Sequence, residues 1–287
     1  MLARRAGASY SEADSDRGVA WADLALFAGT WLVALTVVAS VYLARPRMLD
    51  GLQYWRTWHG DPYSQVLYPP PALLLFAPAA VLPWPAFELL WQGVLITAGL
   101  WLAWPLPVRL RVPVFVALTA IAAWGNVATL VAVPLALTSR WPMAWAAVGW
   151  IKITPAIGVV ALVRQRRWRD LAAITVLSAL IGTVLVAFVP DLVAGWIRAD
   201  LQGQSLGNIF LPGFLSIDVP LTIRLPLAAA IAWFGASRPW TAVLAAVVAT
   251  PDLQLATCGL LAAVPRLQQR QQPPAGPAGS PPVSPAR

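Results

Sequence analysis

Cysteine, histidine and lysine are almost absent from this sequence. Its 287 residues include one cysteine, one histidine, and one lysine among 20 basic residues. A single cysteine excludes an internal disulfide, and one histidine with one cysteine cannot supply the usual ligand sets of a zinc site. No metal and no cofactor is therefore predicted. Charged residues make up only 11% of the chain, which excludes an ordinary soluble domain.

Apolar residues make up most of the chain instead. The chain is 59% hydrophobic and has a mean hydropathy of +0.68, which predicts a polytopic membrane protein surrounded by membrane lipids. Its net charge of +8 comes from arginines in short links between apolar runs, a pattern of membrane orientation rather than of nucleic-acid binding. Richness in Ala, Arg and Pro with one lysine is typical of a GC-rich bacterial genome, so we expect a multi-pass protein of the bacterial plasma membrane.

The apolar runs set the expected helix count. Residues 24–44 contain no charged residue and can form one crossing, which needs about 20 residues. Two later runs are broken, at Gly125-Asn126 and at Pro251-Asp252. An all-α fold with about ten transmembrane helices, between about eight and about eleven, is predicted. The runs after the first are 69–83, 86–104, 111–123, 127–138, 142–163, 171–189, 219–236 and 240–265.

The arginines predict the orientation. The sequence "RQRRWR" at 164–169 carries four arginines and is expected on the cytoplasmic side. Six crossings before it place the N-terminus in the cytoplasm and the loops 45–67 and 190–218 outside. The predicted organisation is a disordered cytoplasmic N-terminus (1–20), a membrane domain (21–265) and a disordered Gln/Pro-rich tail (266–287).

The first outer loop concentrates polar and aromatic residues. Trp55 and Trp58 fit an interfacial aromatic belt, although aromatic rings also stack on sugars. Asp50 has two interpretations that the residues alone leave open. It is either an N-cap for the segment that follows, or a carboxylate at the membrane surface acting as a general base on a hydroxyl.

Several short motifs occur in a characteristic order. They are Asp50, "GDPY", "YPPPALLLFAPAAVLP", "LLW", "GN" at 125–126, "KITP" at 152–155, "RRWR", and "QSL" at 204–206. Together they resemble the GT-C type polyprenol-phosphate-dependent glycosyltransferases of glycosyltransferase family 87, a group that includes mannosyltransferases. The resemblance covers roughly residues 20–265.

The resemblance implies a fold and a reaction. It implies a GT-C-like membrane domain with an extracytoplasmic catalytic loop. The expected activity moves a hexose, with mannose as the expected sugar, from a polyprenyl-phosphate donor to a lipid or envelope glycan acceptor. Family members use an acidic residue in the first outer loop, and Asp50 occupies that place. Lys152, the one lysine, is then a candidate partner for the donor phosphate, with Pro155 loosening the nearby helix. Its alternatives are a pair with Glu88 or Asp252, or snorkelling to an interface.

Other polar residues are candidate substrate contacts. Tyr54, Asp61 and Tyr68 lie in the first outer loop with His59, which either assists Asp50 or is a surface residue. Asn126 is interpreted first as a helix cap, and its helix N-terminus as a possible lining of the donor site. The second outer loop supplies two further candidates that also fit an ordinary polar loop, Gln204 and Ser205.

Two other functions stay open. A lipid or solute transporter would also show broken membrane helices. An inactive envelope-assembly subunit is the third hypothesis, because the stretch "ATPDLQLATCGLLAAVP" lacks the tryptophan and histidine that many members of the resembled family carry near their C-terminal end.

Overall fold

The computed structural model describes residues 3–43, 49–60, 62–63, 68–201, 219–251 and 255–269. Every element in these ranges is a helix, which confirms the predicted all-α class. The α-helices are α1 (Ala3–Leu43), α2 (Leu49–Thr57), α3 (Pro70–Ala80), α4 (Trp84–Ala103), α5 (Val108–Trp124), α6 (Ala128–Leu137), α7 (Ala144–Ile151), α8 (Val160–Arg164), α9 (Trp168–Phe188), α10 (Pro190–Leu201), α11 (Leu221–Phe234), α12 (Pro239–Ala249) and α13 (Val264–Gln269). Two 3₁₀ helices are Thr154–Val159 and Leu255–Ala263.

Three of these helices are long and apolar enough to cross a bilayer. They are the Trp21–Leu43 part of α1, α4 and α9. Their outer faces remain apolar: Leu89 is 73% exposed, Val176 67% and Phe188 79%. Apolar side chains this exposed on a long helix are expected where lipid rather than water surrounds it. These features support the predicted membrane protein.

Both chain ends are more helical than their composition predicts. α1 begins at Ala3, so residues 3–20 are helical where disorder is predicted. A helix that is already nucleated extends at little cost through good helix formers such as Ala, Arg and Glu. The predicted C-terminal tail begins within α13, where Leu267 is 2% exposed. Residues 270–287 lie outside the described part of the chain.

The segment 69–83, predicted as a crossing, lies beside α2. Trp58 Nε1 donates to the Leu73 carbonyl at 3.2 Å, and Trp55 Nε1 donates to the Leu82 carbonyl at 2.9 Å. One short helix therefore contacts both the start of α3 and the turn after it.

The predicted break at Gly125-Asn126 is confirmed. α5 ends where Gly125 takes the left-handed conformation with φ of 79°, which favours glycine. The Gly125 N–H donates to the Ala122 carbonyl at 2.8 Å, and Trp91 Nε1 donates to the Gly125 carbonyl at 2.9 Å. The break is thus anchored to the middle of α4.

The run 142–163, predicted as one span, is a tight hairpin. α7 ends at Ile151, and Lys152 is extended with φ −151° and ψ 115°. The chain then returns along α7, because a Cβ at Gly149 would lie 3.5 Å from Ala156 and one at Gly158 would overlap the Trp145 ring. Pro155 explains the break, since proline lacks the N–H that an uninterrupted helix needs there.

Arginines gather at one end of the helices. Arg109 at the start of α5 forms an ion pair of 2.8 Å with Asp23 near the start of the apolar part of α1. Arg266 donates to the Trp101 carbonyl at 3.0 Å and lies over the Trp101 ring. We name this end the arginine face.

At the C-terminal end of α8, an arginine again lies over a tryptophan ring and a polar side chain bonds to a backbone carbonyl. Arg164 lies over the Trp233 ring, with its guanidinium carbon 5.7 Å from the ring centroid. Gln165 donates to the Ala236 carbonyl, which ties the link after α8 to the link after α11. We assign these links to the arginine face.

The opposite end of the helices carries α2, α3, the Gly125-Asn126 break and α10. We name it the Asp50 face. The break predicted at Pro251-Asp252 also opens here, because Arg224 at the start of α11 donates to the Thr250 and Pro251 carbonyls, at 2.5 Å each. Arg224 is only 6% exposed, so an arginine satisfies the carbonyls that the end of α12 leaves unpaired. Asp252 lies outside the described residues.

Candidate functional site

Asp50 is the second residue of α2 and accepts a hydrogen bond from across the fold. Asn126 Nδ2 donates to Asp50 Oδ2 at 2.7 Å. Because α2 begins at Leu49, Asp50 lies within the first turn rather than before it. Free backbone N–H groups in a first turn favour a negative side chain. The structure therefore supports a helix-terminus role for Asp50 and adds a partner that is 76 positions away in the sequence.

Asn126 joins this carboxylate to the start of α6. Its Oδ1 accepts the Ala128 N–H at 2.8 Å, which confirms the predicted capping role. Since the amide oxygen faces an N–H, the amide NH₂ faces an acceptor, and that acceptor is Asp50. The Ala128 N–H at the start of α6 is thus already engaged, which weakens the hypothesis that this helix terminus lines a donor site.

Tyr54 lies under the carboxylate in an aromatic cluster. It is 1% exposed, stacks on Phe76 with ring centroids 4.4 Å apart, and meets Trp91 edge-on at 5.8 Å. Its hydroxyl is 3.2 Å from the Tyr68 hydroxyl. Burial, then the nearby Tyr68 and Asp50, raise the pKa of Tyr54 well above its ordinary value. The phenol therefore stays protonated while it supports the site.

Four predicted residues come together in this way: Asp50, Tyr54, Tyr68 and Asn126. They derive from α2, the residues before α3, and the break between α5 and α6. Asp50, Tyr68 and Asn126 are partly exposed, whereas Tyr54 is buried. The Tyr54 ring is therefore closed to a substrate, which corrects its prediction as a substrate contact.

His59 lies away from this group. Its ring stacks on Trp55 with centroids 4.1 Å apart, and its Nδ1 is 2.9 Å from the Trp55 carbonyl oxygen. The residue is exposed and follows the end of α2, whereas Asp50 opens that helix. At about 1.5 Å per residue the two ends of α2 are about 10 Å apart, so the structure favours the surface interpretation of His59.

The remaining predicted contacts have different outcomes. Lys152 is half-buried at the tip of the hairpin between α7 and the following 3₁₀ helix, not in the middle of a span. The hairpin thus replaces the straight span that is predicted over residues 142–163. Three candidates lie outside the described residues: Asp61, Gln204 and Ser205.

A cavity that the sequence does not reveal opens beside α2. Its volume is about 680 Å³, and its walls include Trp58, Tyr63, Leu74 and Arg198. Asp191, at the start of α10, lies at the same wall. Burial raises the pKa of Tyr63, so its phenol is neutral at physiological pH. The walls come from the residues after α2, from α3 and from α10, so no single stretch of sequence indicates the cavity.

The geometry provides a positioned carboxylate at the start of α2 and, beyond the other end of that helix, a cavity lined by Trp58 and Tyr63. A carboxylate can take a proton from a hydroxyl within hydrogen-bonding reach, and an amide donor at 2.7 Å fixes its orientation. Comparisons with protein-family models, with curated proteins and with solved structures each find no match for this chain. The residues around Asp50 are therefore the basis of the functional proposal.

Proposed function

We propose that this protein is a membrane glycosyltransferase of the GT-C type. It moves a hexose, with mannose as the expected sugar, from a polyprenyl-phosphate donor to a lipid or envelope glycan acceptor. The observation that carries the proposal is the hydrogen bond from Asn126 to Asp50, because it orients the carboxylate in the loop where the resembled family has its acidic residue.

The chemistry follows from that carboxylate. Asp50 accepts the proton of the acceptor hydroxyl as its oxygen attacks the anomeric carbon of the sugar. The bond between that carbon and the phosphate oxygen breaks, and polyprenyl phosphate leaves with the electron pair. Attack opposite to the leaving group inverts the anomeric centre. A phosphate leaves readily, so this scheme needs no second carboxylate as a general acid.

Asn126 and Tyr54 act as positioning residues in this scheme. Asn126 orients the Asp50 carboxylate. The neutral Tyr54 packs beneath this carboxylate and does not compete for the substrate proton. The cavity lined by Trp58 and Tyr63 is large enough for a sugar with part of its carrier, since ligand sites measure about 300–1,000 Å³. Further candidate contacts to sugar or acceptor, from the two outer loops of the sequence, are Asp61, Gln204 and Ser205.

The proposed topology has eight crossings and one re-entrant hairpin in the bacterial plasma membrane, within the predicted range of about eight to about eleven. The crossings are α1, α4, α5, α6, α9, α11, α12 and the final 3₁₀ helix with α13, and the hairpin is α7 with its return through α8. The arginine face is then cytoplasmic, in line with the positive-inside rule, and the Asp50 face is outside. The support is the arginine pairs that join the same ends of α1, α4, α5 and α13.

A lipid or solute transporter is the second candidate. The specific observation in its favour is that three membrane segments are broken, at Gly125, at Lys152 and after Ala249. Broken helices form the substrate sites of many transporters. An inactive envelope-assembly subunit is the third candidate, and its support is the missing tryptophan and histidine near the C-terminal end.

One experiment separates these functions. The purified full-length protein is reconstituted into vesicles with labelled polyprenyl-phosphate-mannose and a bacterial lipid extract as acceptor. Label that moves to a new lipid or glycan supports the transferase. Label that crosses the bilayer with its bond to phosphate intact supports the transporter. If neither outcome is observed, the result supports the assembly subunit.

A further inference from the structure

Two links of the arginine face are tied to each other. One link is residues 165–167 between α8 and α9, and the other is residues 235–238 between α11 and α12. The Gln165 side chain donates to the Ala236 carbonyl, so the two links meet. The surface that they form, with the first turn of α9, carries three exposed arginines, which are Arg166, Arg169 and Arg238.

Arg166 has a backbone conformation that favours glycine. Its φ is 56°, which an ordinary L-residue adopts only at a cost. The Arg166 N–H donates to the Val163 carbonyl at 3.0 Å. The Arg167 N–H donates to the Leu162 carbonyl, also at 3.0 Å. These two bonds close the end of α8 in the arrangement that usually has glycine at the left-handed position. The end of the helix thus explains the backbone of Arg166 but not its side chain.

The positive charge of this surface is not balanced by the carboxylates described nearby. Asp170 on α9 forms an ion pair of 2.6 Å, but its partner is Arg167. Among the residues that the structure describes, no carboxylate forms an ion pair with the three exposed arginines. Exposed guanidinium groups of one sign repel one another and attract anions. An anion bound between the links therefore suits this surface.

The surface lies at the edge of the membrane. α9 is long and apolar enough to cross a bilayer and begins at Trp168, so Arg166 and Arg169 lie at one end of a crossing. Tryptophan is common at the membrane–water interface, and Trp168 is 60% exposed. Phe234, the last residue of α11, is 85% exposed just before the second link. Guanidinium groups beside exposed apolar side chains match an anion that carries acyl chains.

We propose that Arg166, Arg169 and Arg238 bind the headgroup of an anionic phospholipid of the phosphatidylglycerol class. The guanidinium groups donate to the phosphate oxygens, for which the planar fork of arginine is suited. The acyl chains lie along the apolar side chains at the ends of α9 and α11. Arginine at position 166 then serves binding, although glycine would suit the backbone better. The proposal does not depend on sugar transfer, because this surface is at the end of the helices opposite to Asp50.

The test measures lipid binding to the purified full-length protein in a neutral detergent. The ligand is phosphatidylglycerol, and the comparison is zwitterionic phosphatidylcholine. Arg166→Gln, Arg169→Gln and Arg238→Gln each remove one charge. Each should weaken phosphatidylglycerol binding about fivefold, which is the contribution of one basic residue at an anionic lipid surface. Binding of phosphatidylcholine should be the same in all proteins.

Arg140→Gln is the matched control. Arg140 is exposed in the link between α6 and α7, and α6 begins at the Asp50 face and runs away from it. Its removal lowers the net charge by the same amount and should leave phosphatidylglycerol binding unchanged. If Arg140→Gln weakened binding as much as Arg166→Gln, the lipid would respond to diffuse surface charge, and the proposed site would be wrong.

Arg166→Gly separates lipid binding from folding. Glycine adopts a φ of 56° without strain, so this variant should melt above the wild-type temperature when no anionic lipid is present. With phosphatidylglycerol, the wild type should gain thermal stability and the variant should gain less. A variant that melts below the wild type without anionic lipid would show that the arginine side chain stabilises the fold itself, which overturns the proposal.

Two other results would also overturn it. Displacement of phosphatidylglycerol by millimolar inorganic phosphate would assign the surface to phosphate in general rather than to a lipid. Equal phosphatidylglycerol binding by the wild type and the three glutamine variants would remove the site. Neither result bears on sugar transfer, and a protein that transfers no sugar can still show the predicted lipid binding.

Discussion

Asn126 holds Asp50 with one end of its amide and α6 with the other. The Nδ2 of Asn126 is 2.7 Å from Asp50 Oδ2, and its Oδ1 is 2.8 Å from the Ala128 nitrogen. The catalytic candidate is thus fixed to the start of α6 and not only to its own helix. Such attachment is what a general base needs to meet its substrate at a constant distance.

A double-mutant cycle should measure this link. Asp50→Ala, Asn126→Ala and the double variant are compared by their free energies of unfolding. A hydrogen bond to a charged group predicts a coupling of about 1.5–3 kcal/mol. Asn126→Ala should cost a further amount of about 1 kcal/mol, because it also removes the cap of α6. Additive effects of the two substitutions would show that the contact is not formed in solution.

The burial of Tyr54 predicts a loss of stability at high pH. Its folded-state pKa is raised above the ordinary value, so its contribution to stability is complete below about pH 10 and is lost as the pH rises further. Each pH unit in that range should cost about 1.4 kcal/mol. Melting temperatures of the wild type and Tyr54→Phe between pH 8 and pH 11 test this.

The variant Tyr54→Phe removes the titration of the Tyr54 phenol and leaves that of the Tyr63 phenol. Its melting temperature should therefore fall less steeply above pH 10 than that of the wild type, although it starts lower because the hydroxyl contacts are lost. Parallel curves for the two proteins would mean that Tyr54 is accessible to water.

The hairpin around Lys152 can be tested with two glycines. Gly158→Ala places a Cβ into the Trp145 ring and should destabilise the protein by about 1–3 kcal/mol. Gly149→Ala, the matched control, meets Ala156 at an ordinary 3.5 Å and should be neutral or stabilising by up to about 1 kcal/mol. Equal tolerance of both substitutions in thermal unfolding would favour the uninterrupted span that the hydropathy predicts.

The orientation is tested by thiol labelling in intact cells. With Cys258 replaced by serine, a cysteine at His59 should react with an impermeant reagent, and a cysteine at Arg169 should react only after the membrane is opened. Both positions are exposed in the fold, so access depends on the side of the membrane. The reverse pattern would place Asp50 in the cytoplasm and remove the lipid-linked donor.

Local signals in the sequence predict part of this fold. The break at Gly125-Asn126 is predictable because glycine permits the φ of 79° and asparagine caps the next helix. The hairpin at Lys152 is not found by hydropathy, since a folded-back apolar run and a straight one have the same composition. Its signals are Pro155 and Gly158, whose meaning depends on the Trp145 ring packed against them.

The sequence predicts which residues belong to the site but not how they contact one another. Asp50 and Asn126 can each be picked out as polar residues beside apolar runs, but their contact joins positions 76 apart and no periodicity links them. Similarly, the sequence predicts Tyr54 as a substrate contact, whereas the Phe76 and Trp91 rings pack against it and leave it 1% exposed. The position of α3 beside α2 depends on two indole hydrogen bonds, which a hydropathy profile does not reveal.

The most direct test of the central claim is the transfer rate of Asp50→Asn. Asparagine keeps the shape and serves a helix terminus about as well as aspartate, but it cannot accept the proton. The account predicts a loss of at least about a hundredfold in mannose transfer from labelled polyprenyl-phosphate-mannose, with near-normal thermal stability. Asp170→Asn, which breaks the partly exposed 2.6 Å pair with Arg167 on the arginine face, should leave transfer unchanged. Wild-type transfer by Asp50→Asn would contradict the account.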